Sequence, residues 1–172
     1  MNFKPERAVY FSGEIDTHTA MELMISMTKL HAADPKSPIT MFIASSGESV
    51  SDTFAIYDYV MRALKPKLET VALGEVNSMA ALLFLMGEQR HIGELAVMRF
   101  HRFSMGVSAS LTSQKASQTR EDLERSEKKY VNAIVNITRG KITRKAINTL
   151  LDDNAVITAT HAVKLGLAHK IL

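Results

Sequence analysis

The sequence predicts an α/β fold on a mostly parallel sheet, with helices flanking the sheet. Three observations carry this expectation. Short apolar runs alternate along the 172 residues with segments of helical spacing. The runs, such as ITMFIASS at 39–46, are nearly continuous rather than alternating, as in strands covered on both faces. Gly47, Ser78 and His101 each fall in or just beyond the end of such a run. Open α/β sheets place their sites at the carboxyl ends of the strands.

The elements follow in order. Ala8 to Ser12 reads as the first strand. Asp16 to His31 has apolar residues near helical spacing (Ala20, Leu23, Met24, Met27, Leu30), with Asp16 or Thr17 as cap. A second strand follows from Ile39, and Gly47 begins a turn. Helical spacing resumes over Asp52 to Leu64 through Phe54, Ile56, Tyr57, Val60 and Met61. Leu68 to Leu73 is a third strand, followed at once by Gly74. Ser78 to Met86 is almost uninterruptedly apolar, the pattern of a helix buried on all sides. Val97 to Phe100 is another strand and ends at His101. Residues 111–138 carry many charges early and a denser apolar face late (Tyr130, Ala133, Ile134, Ile137). They read either as a long surface helix or as a projecting helix that meets a partner subunit. Asn136 and Arg139-Gly140 mark its end. A last helix covers Thr143 to Leu151, and Ala168 to Leu172 is the final strand. No repeat, low-complexity stretch or Pro/Gly-rich linker interrupts the chain, so one domain over 1–172 is expected.

Composition narrows the function classes. There is no cysteine, which removes disulfides, thiolate metal sites and a Cys nucleophile. The net charge is +3, and basic residues are interleaved with acids, as in RKAINTLLDD, so a solvated surface explains them better than a nucleic-acid patch. No apolar run reaches the roughly 18 residues of a membrane-spanning helix. The N-terminus MNFKPERAVYF is charged where a secretory signal would be apolar, so a cytoplasmic protein is expected. No Gly-rich phosphate loop or HExxH metal pattern appears, and neither a metal nor a cofactor is expected.

The chemistry lies in three places. In GEVNSMAALLFLMG, Ser78 stands at the mouth of the buried helix, where free backbone N–H groups and the positive end of the helix dipole favour a developing oxyanion. Read alone, Ser78 is better explained as a helix cap. His101 at a strand end is an available base, though a lone histidine is more often structural. Gly47 after a buried strand is either a turn glycine or part of a backbone segment facing the nucleophile. Only the set together points to nucleophilic catalysis.

In order and over nearly its whole length, the set resembles the proteolytic subunit of the Clp protease, of the ClpP/crotonase fold. VYFSGEIDTHTA resembles the family's opening strand and helix start. ITMFIASSGESVSDTFAIYDYV resembles its strand, Ser-Pro-Gly-Gly turn and Ile-Tyr-Asp helix. LETVALGEVNSMAALLFLMG resembles its nucleophile segment, QRHIGELAVMRFH the segment ending in the catalytic His, and ITATHAVKLGLAHKIL the C-terminal segment. The resemblance implies a serine endopeptidase acting on peptides or unfolded polypeptides. Ser78 would be the nucleophile and His101 the base, and backbone N–H groups of Met79 and the Gly47–Glu48 turn would hold the oxyanion. The third triad member would be Asn154, counting back from Ala159, or Asp153 if one residue is inserted after Gly140. An Asn can accept the imidazole N–H but brings no charge to stabilise imidazolium; in one well-studied serine-protease triad the Asp-to-Asn change costs about 10⁴ in rate.

The resemblance also implies a homo-oligomer: a seven-membered ring, two of which stack face to face, with 111–138 as the handle. Peptide would lie extended beside the Gly47 turn. Three positions depart from the pattern. Glu48 replaces the second glycine of the turn, and would be strained if that position needs positive φ. Ser46 replaces its Pro, and Arg102 replaces the residue usual after the catalytic His. The family's N-terminal axial segment, which gates the pore and meets the ATPase, has little counterpart before the first strand, so the resemblance leaves docking to a Clp ATPase in doubt. Two other readings compete. A catalytically impaired structural subunit of a mixed ring is favoured by Asn154 and Glu48. Acyl-CoA chemistry of the crotonase branch shares the fold but uses no Ser-His pair.

Overall fold

A computed structural model describes residues 3–104 and 112–172. The chain divides into two compact units, one formed by Met1–Phe100 with Val156–Leu172, the other by His101–Ala155.

The first unit holds the sheet. Its strands are β1 (Ala8–Ile15), β2 (Ile39–Glu48), β3 (Leu68–Asn77), β4 (Gln89–Ile92), β5 (Val97–Arg99), β6 (Val156–Thr158) and β7 (Lys170–Ile171). The order β1-β2-β3-β4-β7 is parallel throughout; β5 pairs parallel with β3, and β6 antiparallel with β5. The mostly parallel α/β fold expected from the alternation is therefore the fold observed. The sheet's centre is apolar: Ile39, Met41, Ile43, Val71, Ala72 and Val76 are fully buried.

Helix α1 (Thr17–Ala33) starts where the sequence suggested. Asp16 is the cap, accepting from the Thr19 N–H at 2.8 Å, while the Thr19 hydroxyl accepts from the Asp16 N–H. The far end of α1 is tied to the start of β2 by the buried Arg7 guanidinium, which donates to the carbonyls of Leu30, Asp34 and Ser37. Helix α2 (Val50–Asp58) begins at the Ser49 cap, earlier than expected. It widens into a π-helical turn over Tyr59–Leu64 that Lys65 closes in the left-handed region. Helix α3 (Met79–Leu85) packs on β2 and β3 with every residue buried. The Thr70 hydroxyl on β3 donates to the Phe84 carbonyl at 2.6 Å and pins it there.

Several expectations need correction. β2 does not turn at Gly47 but runs on to Glu48, still paired with β1 through Glu14–Gly47 and Ile15–Glu48. Gly74 makes no turn before Ser78. It is a left-handed residue (φ 55) inside β3, in a bulge: Ile43 pairs with Ala72, but Ser45 pairs with Val76. The bulge lets β3 change partner. Glu69–Ala72 pair with β4, and Glu75–Asn77 pair with β5. Strands β4 and β6 and helix α6 (Ala159–Lys164) are additional to the elements read from the sequence.

In the second unit, α4 (Ser113–Ile137) is the long charged helix, capped by the Thr112 hydroxyl; Leu111, included in the sequence reading, lies outside the described residues. Its late face is the buried one: Tyr130, Val131, Ala133 and Ile134. Arg139 and Gly140 end it with positive φ, as expected. Helix α5 (Arg144–Asp152) is capped by Thr143 and packs on α4.

Candidate active site

Four of the expected residues meet in the first unit. β3 delivers Ser78 to the start of α3 with φ 52 and ψ −123, a conformation that costs a non-glycine residue about 1–3 kcal/mol. The Ser78 side chain makes no capping bond to α3, so the cap reading of this serine fails. A serine on a sharp strand-to-helix turn with positive φ is the geometry of a nucleophile elbow. The Ser78 N–H is held at 2.8 Å by the Arg99 carbonyl of β5. The following N–H, that of Met79, opens α3 and has no partner within the helix.

Gly47 lies directly against this turn. A Cβ on Gly47 would stand 2.8 Å from the Asn77 carbonyl oxygen, 2.9 Å from the Met79 nitrogen and 3.0 Å from the Ser78 Cβ. Only glycine permits that approach, and its φ of 98 also favours glycine. The Gly47 N–H is taken by the Ser45 hydroxyl at 3.1 Å. Glu48 follows with φ 97, so the positive φ suspected at this position is real, and its side chain is exposed.

The other expected residues lie in the second unit. His101, two residues beyond β5, is half-buried, and its Nδ1 is 2.8 Å from the Arg102 carbonyl oxygen. A carbonyl can only accept, so Nδ1 carries the proton and Nε2 is the ring's basic nitrogen. Asn154 adopts φ 47 just after α5. Its N–H donates to the Leu151 carbonyl at 3.3 Å and that of Ala155 to the Leu150 carbonyl at 3.1 Å, which completes a Schellman cap. Asp153, the alternative third member, is the C-cap residue itself. Asn tolerates the left-handed conformation better than Ala does. Asn154→Ala is therefore expected to lower stability by about 1 kcal/mol and Asn154→Gly to leave it nearly unchanged. Urea unfolding midpoints check this; equal midpoints for the two variants would refute the capping role.

Arg102 is the hub of this unit. Its guanidinium donates to Asp152 Oδ1 from Nε (2.9 Å) and Nη2 (2.7 Å) and to Glu127 Oε1 from Nη1. These carboxylates, Asp152 foremost, hold the Arg102 pKa above its usual value. Glu127 also accepts from the Phe103 N–H at 3.2 Å. The Phe103 ring packs on the buried Tyr130, with centroids 5.4 Å apart. Among the described residues, no group of three or more His, Asp or Glu is placed to hold a metal ion, and no helix is long and apolar enough to cross a membrane.

The family model described as Clp protease matches residues 2–172. This chain belongs to the Clp protease family. Two curated relatives are the ATP-dependent Clp protease proteolytic subunit 2 of Corynebacterium jeikeium, 29% identical over 168 residues, and the ATP-dependent Clp protease proteolytic subunit 1 of Corynebacterium glutamicum, 27% identical over 169 residues. The matches cover 96% of this chain and 78% and 79% of the two relatives. Membership in the Clp protease family and the fold class agree with the resemblance drawn from the sequence. That resemblance marked Arg102 only as a departure. It gave no sign that Glu127 and Asp152 share Arg102 as a partner, because charged residues on a solvated helix give no sequence signal of a shared partner.

Proposed function

We propose that this Clp protease family member is a serine endopeptidase that cleaves peptides or unfolded polypeptides through an acyl-enzyme, as a subunit of an oligomeric ring. In this reading Ser78 Oγ attacks the peptide carbonyl while His101 Nε2 takes its proton. The oxyanion is held by the backbone N–H groups of Met79 and of Glu48 at the end of β2. The tetrahedral intermediate collapses as His101 returns the proton to the leaving amine. Water then repeats the sequence on the ester, releasing the second product and Ser78. The whole chain acts as one cytoplasmic peptidase domain, with 111–138 as the handle between two stacked seven-membered rings.

The observation that carries the reading is Ser78. It is strained, spends no bond on capping its helix, and lies against Gly47 at a point that admits no side chain. The test is labelling of the oligomeric protein with a fluorophosphonate serine probe. Native protein is expected to label, and Ser78→Ala and His101→Ala to abolish the signal. An oligomeric sample that stays unlabelled sinks the peptidase reading and leaves the chain a structural subunit of a mixed ring.

A further inference from the structure

Asn154 lacks the charge that normally steadies an imidazolium, yet a carboxylate does reach His101 by another route. The His101 Nδ1–H donates to the Arg102 carbonyl at 2.8 Å. The N–H of the same peptide group, on Phe103, donates to Glu127 Oε2 at 3.2 Å. We infer that Glu127 acts on His101 through the Arg102–Phe103 peptide, taking the place of a carboxylate bonded directly to Nδ1.

The physics is that of a polarised hydrogen-bond chain. A carboxylate pulling on an amide N–H shifts electron density onto the same amide's oxygen, making it a stronger acceptor, and linked bonds reinforce one another. The oxygen so strengthened is the one that holds the Nδ1 proton. It fixes the tautomer in which Nε2 is free to accept from a serine, and it favours the imidazolium that forms when Nε2 does so. The chain is braced on both sides. Arg102 Nη1 bonds the other oxygen of Glu127, the Glu127 side chain is 20% exposed, and Tyr130 backs the Phe103 ring. Asp152 holds the same guanidinium but is 63% exposed and belongs to no bond of the relay. Glu127 is thus a positioning residue, with Asp152 an anchor for its arginine. This role rests on the peptidase reading above.

Two variants separate the relay from a merely structural clamp. Glu127→Gln keeps the size of the side chain and an oxygen for the Phe103 N–H, but removes the charge. Asp152→Asn weakens the same arginine's ion pairing and leaves the relay atoms alone. Fluorophosphonate labelling is followed for rate and for final extent, because a damaged fold lowers the extent while a badly served histidine lowers the rate. Glu127→Gln is expected to slow labelling at least about fivefold with the extent unchanged. Asp152→Asn is expected to stay within about threefold of the native rate, as for an exposed ion pair. A native rate for Glu127→Gln, equal slowing by both variants, or a larger loss for Asn154→Gly than for Glu127→Gln would each overturn the relay. Nitrogen-15 spectra of histidine-labelled protein, with His101→Gln to assign the ring, read the proton without any catalysis. The expected ring is protonated at Nδ1, with that N–H signal moving upfield in Glu127→Gln and not in Asp152→Asn. A ring protonated at Nε2 overturns the inference. Should the serine prove silent, the peptidase reading fails and the spectrum alone decides the relay.

Discussion

Gly47→Ala is expected to slow fluorophosphonate labelling by at least about a hundredfold, because a misplacement near 1 Å at a catalytic centre costs on that order. The added methyl would lie 2.8 Å from the Asn77 carbonyl oxygen and 2.9 Å from the Met79 nitrogen. Both neighbours are backbone, so no side-chain rotation relieves the clash. Either β2 moves away from the end of β3, or the Ser78 turn gives way. β2 is paired with β1 and β3 on its two sides, and Ser78 is fastened to Arg99. The displacement therefore falls on Gly47–Glu48 at the end of β2 and on Ser78–Met79 at the head of α3, the two short stretches that carry the proposed nucleophile and both oxyanion donors. Positive φ for alanine adds about 1–3 kcal/mol of strain. A lower urea midpoint with native sedimentation and nearly lost labelling is the expected pattern. Labelling at the native rate would mean that this close approach has no part in the chemistry.

What the sequence revealed of this arrangement followed from what its residues do locally. Buried strands and the buried helix were legible, because continuous apolar runs have few other uses in a chain of this composition. The ends of β2 and β3 were not. Ser45, Ser46 and Gly74 look like turn residues, but backbone pairing with neighbouring strands carries both strands past them, and a bulge absorbs the misfit. β4 was missed because QRHI carries an arginine whose burial is possible only by donating to the carbonyls of Gly87, Gly166 and Leu167, two of them far along the chain. The site divided in the same way. Gly47, Ser78 and His101 stood out at strand ends. The bonds of Arg102 to Glu127 and Asp152 span 25 and 50 residues, and no periodicity reports a contact of that kind. Asn154 was singled out for catalysis, while its backbone shows a second reason for its presence, the left-handed residue that closes α5.

Glu48→Gly is expected to raise both stability and rate. Glu48 sits at φ 97, where a side chain is strained by about 1–3 kcal/mol. Glycine removes that strain but gives back about 0.5–1 kcal/mol of unfolded-chain entropy, so a net gain near 1 kcal/mol is expected. The rate should rise as well, because the carboxylate follows a backbone N–H proposed to hold a developing negative charge. The side chain is exposed and solvent screens it, so the expected gain is modest, about three- to tenfold at low salt and shrinking as salt is added. Glu48→Gln separates the two causes. It removes the charge and keeps the strain, so it should recover most of the rate and none of the stability. Urea midpoints and labelling rates at two salt concentrations measure both. A Glu48→Gly protein less stable than native would show that neighbouring contacts of the Glu side chain outweigh its strain. A rate unchanged in both variants would move the oxyanion away from the end of β2, leaving Met79 at the head of α3 as its donor.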